Sequence, residues 1–236
     1  MFNNNITPLI LTLVAALAWL RLNDFAAHKG WVESKLSRKL IHIGTGPIFV
    51  MCWLLFPNNP TSRYFAAVVP LLITIQFALV GLGIIKDDAA VQAMSRSGDR
   101  REILYGPLFY GIVFVLLTII YWYDTPIGIV GLMILCGGDG LADIFGRLYG
   151  NKNLPWSTEK SWQGSLGMFI GGWLLSITIL IFFIQFKIFP SPLKAFLLPV
   201  TLIAFVATIV ESLPMKDIDN ITVTAVSIVL GHFLLV

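Results

Sequence analysis

Two aspartates in an apolar part of the chain have the spacing of a metal site. Asp139 and Asp143 lie four residues apart in the segment GGDGLADIFG (137–146), so on a helix both carboxylates project from one face. A charge at the centre of a membrane costs about 2.5–3.5 kcal/mol on insertion scales unless it is paired or metal-bound. Mg²⁺ is typically held by one or two carboxylates together with substrate phosphates. The pair therefore predicts a Mg²⁺ site, with an ion pair to Arg147 or contact with the membrane surface as the alternative.

A second segment, STEKSWQGS (157–165), follows these acids by about 17 residues and has the composition of a phosphate-binding loop. Lys160 supplies positive charge, and the N–H groups at the start of the next helix supply donors. We expect Lys160, Ser161, Gly164 and Ser165 to surround the phosphates. The segment lacks the glycine and lysine spacing of a Walker P-loop, so a solvated surface loop remains an alternative.

His42 follows Arg38 by four residues, at the start of another apolar run. Arg38 and Lys39 are explained by simple anchoring of a membrane helix at its positive end. A histidine at that depth is harder to explain in this way, and we predict that it donates to phosphate or accepts a proton.

A third basic cluster contains Arg96, Arg100 and Arg101. One guanidinium group can bind two phosphate oxygens at once, so Arg100 and Arg101 are predicted to clamp a polyphosphate. Ion pairs with Asp99 and Glu102 explain the same residues equally well.

The last cluster is acidic and polar, and it comprises Glu211, Asp217, Asp219 and Asn220. These oxygens could complete a second cation site, or bind a ribose or an alcohol hydroxyl. Asp219 and Asn220 serve equally well as N-caps of the last helix.

The composition shows what must position these clusters. Of the 236 residues, 57% are hydrophobic and 12% are charged, and the mean hydropathy is +0.83. A soluble domain carries about 25% charge, so a soluble enzyme and a disordered chain are both excluded. The two cysteines lie in apolar runs and form no metal-type pair, and a net charge of +3 is too small to indicate nucleic-acid binding.

We predict an all-α membrane bundle that forms one integral-membrane domain over residues 1–236. A bilayer-spanning helix needs about 20 apolar residues. Eight runs approach this length, and they cover residues 6–22, 40–56, 64–85, 103–122, 126–145, 164–185, 193–210 and 221–236. The first run lacks a preceding positive charge, so it is expected to be a retained helix rather than a signal peptide. Glycines recurring along the sixth run, from Gly164 to Gly172, indicate close helix packing.

The basic residues are segregated between the loops of this arrangement. All of the lysines and arginines except Arg63, Lys187 and Lys194 fall in the odd-numbered loops. The positive-inside rule then places the odd loops in the cytoplasm and both termini outside. Every cluster described above falls on this cytoplasmic side.

One membrane face carries the carboxylates for a divalent ion, the lysine loop (residues 157–165) and the arginines. Together they predict a site for a Mg²⁺–nucleotide complex. The apolar helices give a lipid substrate access to the same site. This combination indicates phosphoryl or nucleotidyl transfer to a lipid, a reaction that depends mainly on positioning and charge neutralisation.

The chain resembles the phytol kinase branch of the polyprenol kinase family, which is related to dolichol kinases and phosphatidate cytidylyltransferases. The resemblance spans most of the chain in order, and it is specific only in combination. The matching segments are SRKLIH (37–42), RREILYGP (100–107), GDGLAD (138–143), EKSWQGS (159–165), and ESLP (211–214) with DNITV (219–223). It implies transfer of the terminal phosphate, usually from CTP, to a long-chain isoprenoid alcohol. Phytol would give phytyl phosphate for tocopherol-type synthesis.

We therefore assign provisional roles to these residues. Asp139 and Asp143 would hold Mg²⁺. The lysine loop, with Arg100 and Arg101, would bind the phosphates of the nucleotide, and Asp219 and Asn220 would also contact the nucleotide. His42, Glu211 or Asp219 would position or deprotonate the alcohol, since a free alcohol is a weak nucleophile at neutral pH.

Two other functions fit part of the pattern. A lipid cytidylyltransferase would use a similar metal site but release pyrophosphate. An ion-coupled transporter would place its acids near the middle of the membrane and show internal repeats, which this sequence lacks. The choice among CTP, UTP and ATP, the identity of the alcohol and any homo-oligomer stay open.

Overall fold

The protein is an all-helical bundle in a computed structural model that describes residues 2–95, 97–214 and 218–235, with the side chains of Ser34 and Ala93 excepted. Within these ranges the single β-type contact is an isolated bridge between Asn153 and Ser161. The helices are α1 (Ile6–His28), α2 (Ser34–Cys52), α3 (Ser62–Leu82), α4 (Asp88–Met94), α5 (Gly106–Ile120), α6 (Pro126–Met133), α7 (Gly140–Tyr149), α8 (Trp162–Gln185), α9 (Leu193–Glu211) and α10 (Asp219–Leu234).

Six helical segments of the described chain are long and apolar enough to cross a membrane. They are Ile6–His28, Ser62–Leu82, Arg100–Ile120, Pro126–Tyr149, Trp162–Gln185 and Leu193–Glu211. The apolar helix α10 is shorter, with 16 residues, and α2 has the basic residues Lys35, Arg38 and Lys39 in its first two turns. The all-helical membrane fold is thus confirmed with six candidate spans, while the count of eight and the location of the termini stay predictions.

The helix that carries the acid pair is the most deeply buried of the six candidate spans. It begins at Pro126, whose fixed φ suits the first helical position, and continues without a break to Tyr149. Between α6 and α7 it widens into a π-helical segment, Ile134–Asp139. A π-helical turn shifts the residues that follow it around the helix axis, and such turns are frequent at functional sites.

Glycines let α8 pack tightly against this central helix. A Cβ on Gly171 would collide with the carbonyl of Gly137, and one on Gly167 would meet the carbonyl of Leu141. Such backbone-to-backbone contact between membrane helices requires small residues. The predicted packing role of the glycines is confirmed, and the contact fixes the start of α8 beside α7.

The odd-numbered loops lie together, as the distribution of their lysines and arginines predicts. Arg38, Ser95, Lys160 and Asp219 come from or adjoin four successive odd-numbered loops, and all four line one cleft. At the other end, Arg63 of α3 forms an ion pair with Asp124. The odd loops therefore meet at a single end of the bundle.

Candidate active site

The acid pair lies at that end, on one face of the central helix. Asp139 closes the π-helical segment and Asp143 follows one turn later in α7. Lys39 of α2 lies between them, with its Nζ 3.1 Å from Oδ2 of Asp139 and 3.9 Å from Oδ2 of Asp143. Asp143 also pairs with Arg147, the alternative that the sequence left open. Both carboxylates keep part of their surface exposed, 24% and 33%, so an incoming ligand can reach them.

His42 approaches the same acid from α2. Its Nε2 lies 3.1 Å from Oδ2 of Asp139. Tyr110 of α5 fixes the histidine from the other side, because its hydroxyl donates to the carbonyl of His42 at 2.9 Å and the two rings lie 4.4 Å apart. The histidine is thus held one helical turn below Arg38, against the acid pair.

Lys160 forms a second charged group with residues of α9 and α10. It pairs with Glu211, which is 5% exposed, and its Nζ lies 3.8 Å from Asp219. Burial by itself lowers the pKa of Lys160, but the carboxylates of Glu211 and Asp219 outweigh that effect and hold the pKa above the ordinary lysine value. The lysine therefore remains charged over the whole physiological range.

The loop that carries Lys160 is ordered by its own serines. Ser157 Oγ accepts from the backbone N–H of Lys160 at 3.2 Å, and Ser161 Oγ caps α8 by accepting from the N–H of Gly164 at 3.1 Å. A Cβ on Gly164 would press on the carbonyl of Ala142, so the glycine brings the loop close to α7. Ser161, Gly164 and Ser165 all line the cleft beside Lys160.

The predicted arginine clamp lies elsewhere. The guanidinium of Arg100 occupies the space beside Gly83, a left-handed residue (φ 77°) that ends α3, and Arg101 is exposed. Neither side chain lines the cleft, whereas Arg38 and Arg147 do. Arg96 lies outside the described residues.

Asn220 and its neighbours join α10 to the site. Asn220 Nδ2 donates to the carbonyl of Gly106 at 3.1 Å, which ties the start of α10 to the start of α5. Asp219 and Asn220 are the first two residues of α10, after Ile218 at the N-cap position, and Asp219 Oδ1 accepts from the N–H of Asn220 at 3.2 Å. Asp217 lies outside the described residues.

Two cavities meet at the acid pair. The first is a polar cleft of about 1050 Å³ between α2, α7, the lysine loop and the end of α9. The second is an apolar cavity of about 200 Å³ between α1, α2, α3 and α5, walled by residues such as Ala16, Ile73 and Phe114. The residues common to both are Arg38, Lys39, Asp139, Asp143 and Asp219, while His42 and Asn220 line only the apolar cavity.

The donor set fits a Mg²⁺ ion that arrives with its substrate. Among the described residues no group of three or more histidine, cysteine, aspartate or glutamate side chains could hold a metal by itself. Asp139 and Asp143 provide two carboxylates that share Lys39 as a partner, and both open into the polar cleft. Mg²⁺ in nucleotide sites needs only such a pair, since phosphates and waters complete its octahedral shell.

Comparison with curated proteins identifies the family. The chain is 39% identical over 227 residues to a protein of Triticum aestivum named probable phytol kinase, chloroplastic. The aligned residues cover 95% of this chain and 76% of the relative. The chain belongs to the phytol/polyprenol kinase family. A phytol kinase 1, chloroplastic, and a farnesol kinase, chloroplastic, both of Arabidopsis thaliana, are each 38% identical to it. They cover 85% and 95% of this chain, and 67% and 73% of their own lengths.

No family model matches the chain, and no solved structure does.

Three residues at the site were missed by sequence reasoning. The sequence explains Lys39 as a membrane anchor, although the residue precedes His42 by three positions and so shares its helix face. It indicates Arg147 only as a partner for Asp143, whereas the structure also places Arg147 in the cleft. Tyr110 had no signal in the sequence, because its contact with His42 spans 68 residues.

Proposed function

We propose that this chain is a Mg²⁺-requiring kinase that transfers the terminal phosphate of CTP to the hydroxyl of a long-chain isoprenoid alcohol. Phytol is the first candidate, and phytyl phosphate for tocopherol-type synthesis is the product. Membership of a family whose relatives are named phytol kinase and farnesol kinase supports a kinase that acts on an alcohol.

The meeting of two cavities of opposite character is the observation that carries this proposal. One substrate is a polyanion and the other a hydrocarbon with one hydroxyl, so they need separate binding surfaces that join at the reacting atoms. The polar cleft has the basic residues for the first, and the apolar cavity has the aromatic and aliphatic walls for the second. Asp139 and Asp143 lie in the wall that both share.

The residues of the cleft bind the nucleotide through charge. Lys160, Arg38 and Arg147 neutralise the phosphates, and Glu211 keeps Lys160 in place through their ion pair. Asp139 and Asp143 are the residues that would hold Mg²⁺, which would neutralise charge on the terminal phosphate. Lys39, which contacts both acids, keeps their carboxylates together before a nucleotide enters.

His42 is the group best placed to meet the alcohol. It lines the apolar cavity and contacts Asp139, so an alcohol whose tail fills that cavity presents its hydroxyl to the imidazole ring. The alcohol oxygen then forms a bond to the terminal phosphorus, its proton passes to His42, and the bond from that phosphorus to CDP breaks. Glu211 lines only the polar cleft, which supports a role for it on the nucleotide side.

We also propose that the odd-loop end faces the cytoplasm and that residues 1–236 act as one lipid-kinase domain. The excess of lysine and arginine in those loops supports this orientation.

The test uses purified protein, γ-labelled CTP, and phytol, geranylgeraniol or farnesol. We expect the label to appear in the lipid phosphate and CDP to accumulate in equal amount. UTP and ATP, labelled in the same way, measure the choice of base. Release of pyrophosphate with formation of a cytidyl lipid would instead show a nucleotidyltransferase and overturn the kinase assignment.

A further inference from the structure

Trp156 has the features of a binding surface that the phosphate chemistry leaves unused. It lies in the loop between α7 and α8, its side chain is 51% exposed, and it lines the polar cleft that contains Lys160. We propose that the base of the bound nucleotide stacks on the indole ring of Trp156. This inference rests on the proposed function, because it takes a nucleoside triphosphate as the occupant of the cleft.

The loop that presents Trp156 is closed by its own backbone. Leu154 N–H donates to the carbonyl of Lys160 at 2.9 Å, and Trp162 N–H donates to the carbonyl of Lys152 at 3.2 Å. The side chain of Asn153 donates to the carbonyl of Thr158 at 2.7 Å. Trp156 therefore lies on a fixed turn, four residues from the lysine that would bind phosphate.

The indole ring is anchored by its edge. Its Nε1–H reaches the carbonyl and the hydroxyl of Ser212 at 3.2 and 3.3 Å, and Ser212 follows Glu211, the partner of Lys160. The ring and the lysine are thus attached to the same two segments of chain. Both line the same cleft, which therefore offers a flat apolar surface for a base and a cation for its phosphates.

The ring keeps a face available for stacking. Trp162 contacts it in a T-shaped pair, with centroids 6.1 Å apart and planes at 71°. In that geometry Trp162 covers at most one face of Trp156, and half of the Trp156 side chain remains exposed to the cleft. Aromatic rings in nucleic-acid and nucleotide grooves stack on bases of any identity, since every base has a π-face. Trp156 should therefore favour nucleotides over inorganic polyphosphate without selecting CTP.

Trp162 is a matched control. It is also 51% exposed and belongs to the same pair of rings, but it does not line the cleft. A general membrane-interface role for tryptophan applies to both residues, whereas base stacking applies only to Trp156.

The experiment measures the affinity of purified protein for CTP and for inorganic triphosphate, each with Mg²⁺, by equilibrium dialysis. We expect Trp156→Leu to weaken CTP binding roughly 5- to 100-fold, as expected when one stacked base is lost. Binding of inorganic triphosphate should stay within about twofold, because Lys160 is untouched. Trp156→Phe should keep most of the CTP affinity, and Trp162→Leu should change neither ligand.

A second measurement does not require the leucine variant to fold. In Trp162→Phe protein, CTP should quench tryptophan emission and inorganic triphosphate should not. An equal loss of CTP and triphosphate affinity in Trp156→Leu would mean that the ring only supports the loop. Equal effects of Trp156→Leu and Trp162→Leu, or no quenching by CTP, would also overturn the inference. Wild-type protein that binds no nucleotide would instead refute the proposed function, and the stacking inference with it.

Discussion

The polar cleft and the apolar cavity share a wall, yet their polar side chains are held in different ways. In the cleft, charged side chains pair with one another, as in Lys160 with Glu211 and Arg147 with Asp143. In the cavity, Tyr110 and Thr45 instead bond to the backbone, Tyr110 to the carbonyl of His42 and Thr45 Oγ1 to that of Ile41 at 2.6 Å. His42, beside the shared wall, contacts a charged side chain, that of Asp139.

This difference matches the ligands that the two spaces are proposed to take. The groups of an ion pair between side chains are already partly desolvated, so they can exchange one charged partner for a phosphate or a metal ion. A side chain that is satisfied by backbone leaves no group that needs water, so the surrounding surface accepts a hydrocarbon. The shared wall is where the two kinds of surface meet, and changes there should have the largest effects.

The largest effect is expected from Asp139→Asn, because it removes charge at the point where both cavities meet. Turnover should fall about 1000-fold, at the upper end for loss of one preorganised electrostatic group. The same variant should need more Mg²⁺ for half-maximal rate, and its circular dichroism should match the wild type. The exposed acid Asp24 of α1 lies away from both cavities, and Asp24→Asn serves as the control. Wild-type turnover in Asp139→Asn would remove the metal assignment.

Lys160→Met should reduce kcat/KM for the nucleotide about 100-fold, because it removes a fixed cation from the cleft. It should also destabilise the protein by up to about 3 kcal/mol, since it leaves the buried carboxylate of Glu211 without its partner. Adding Glu211→Gln to the same protein should restore the melting temperature but not the activity. If stability and activity recover together, the lysine has only a structural role.

Ala16→Phe should affect the apolar cavity and leave the polar cleft unchanged. Ala16 lines the apolar cavity from α1, so a larger side chain shortens the space for the alcohol tail. We expect kcat/KM for phytol to fall about tenfold, with a smaller loss for geraniol and an unchanged KM for the nucleotide. Ala18→Phe, an exposed position on the same helix, is the control and should leave all three values unchanged. A rise in nucleotide KM would show that the two spaces are not separate.

Arginine variants sharpen the boundary of the cleft. Arg38 lines both cavities and its Nη1 donates to the carbonyl of Ser95 at 2.8 Å, so Arg38→Gln should raise the nucleotide KM about tenfold. Arg101→Gln should stay within about twofold, since its side chain is exposed and away from the cleft. The reverse order would restore the arginine clamp that the sequence predicts.

The smallest effect concerns pH. The pKa of Lys160 is raised by Glu211 and Asp219, so its ion pair contributes fully to stability below the ordinary lysine value of about 10.4. That contribution is lost only as the pH rises through the higher pKa of the folded state. Lys160 should therefore keep its proton from about pH 7 to pH 10, and it should cause no change in the nucleotide KM over that range. An alkaline rise in KM that begins near pH 9 and disappears in Lys160→Arg would contradict the raised pKa.

The sequence predicted the parts of the site that depend on local spacing. Asp139 and Asp143 share a face because four residues make about one helical turn. The glycines of α8 mark a close helix contact because only small residues permit it. The loops that carry Arg38 and Lys160 were expected on one side because their charges cannot cross the membrane easily, and they do meet in one cleft.

Other parts depend on contacts between distant residues, and these were not predictable. The arginines of RREILYGP were expected at the phosphates, but Arg100 packs against Gly83 at the end of α3. The π-helical segment that ends at Asp139 was not predicted, because no pattern in the sequence marks such a turn. The contact of Tyr110 with His42 was not predictable either, because it joins two different helices, α5 and α2, at residues 68 positions apart in the chain.

The sequence by itself determined that the chain is helical, apolar and basic at one end, and it marked two carboxylates and a lysine loop as candidate site residues. These are properties of composition and of spacing along single helices. Only the tertiary structure decided that a polar cleft and an apolar cavity share the wall that holds those carboxylates. The reason is physical: a cavity is the space that packed helices leave between them, so its shape depends on all of them together.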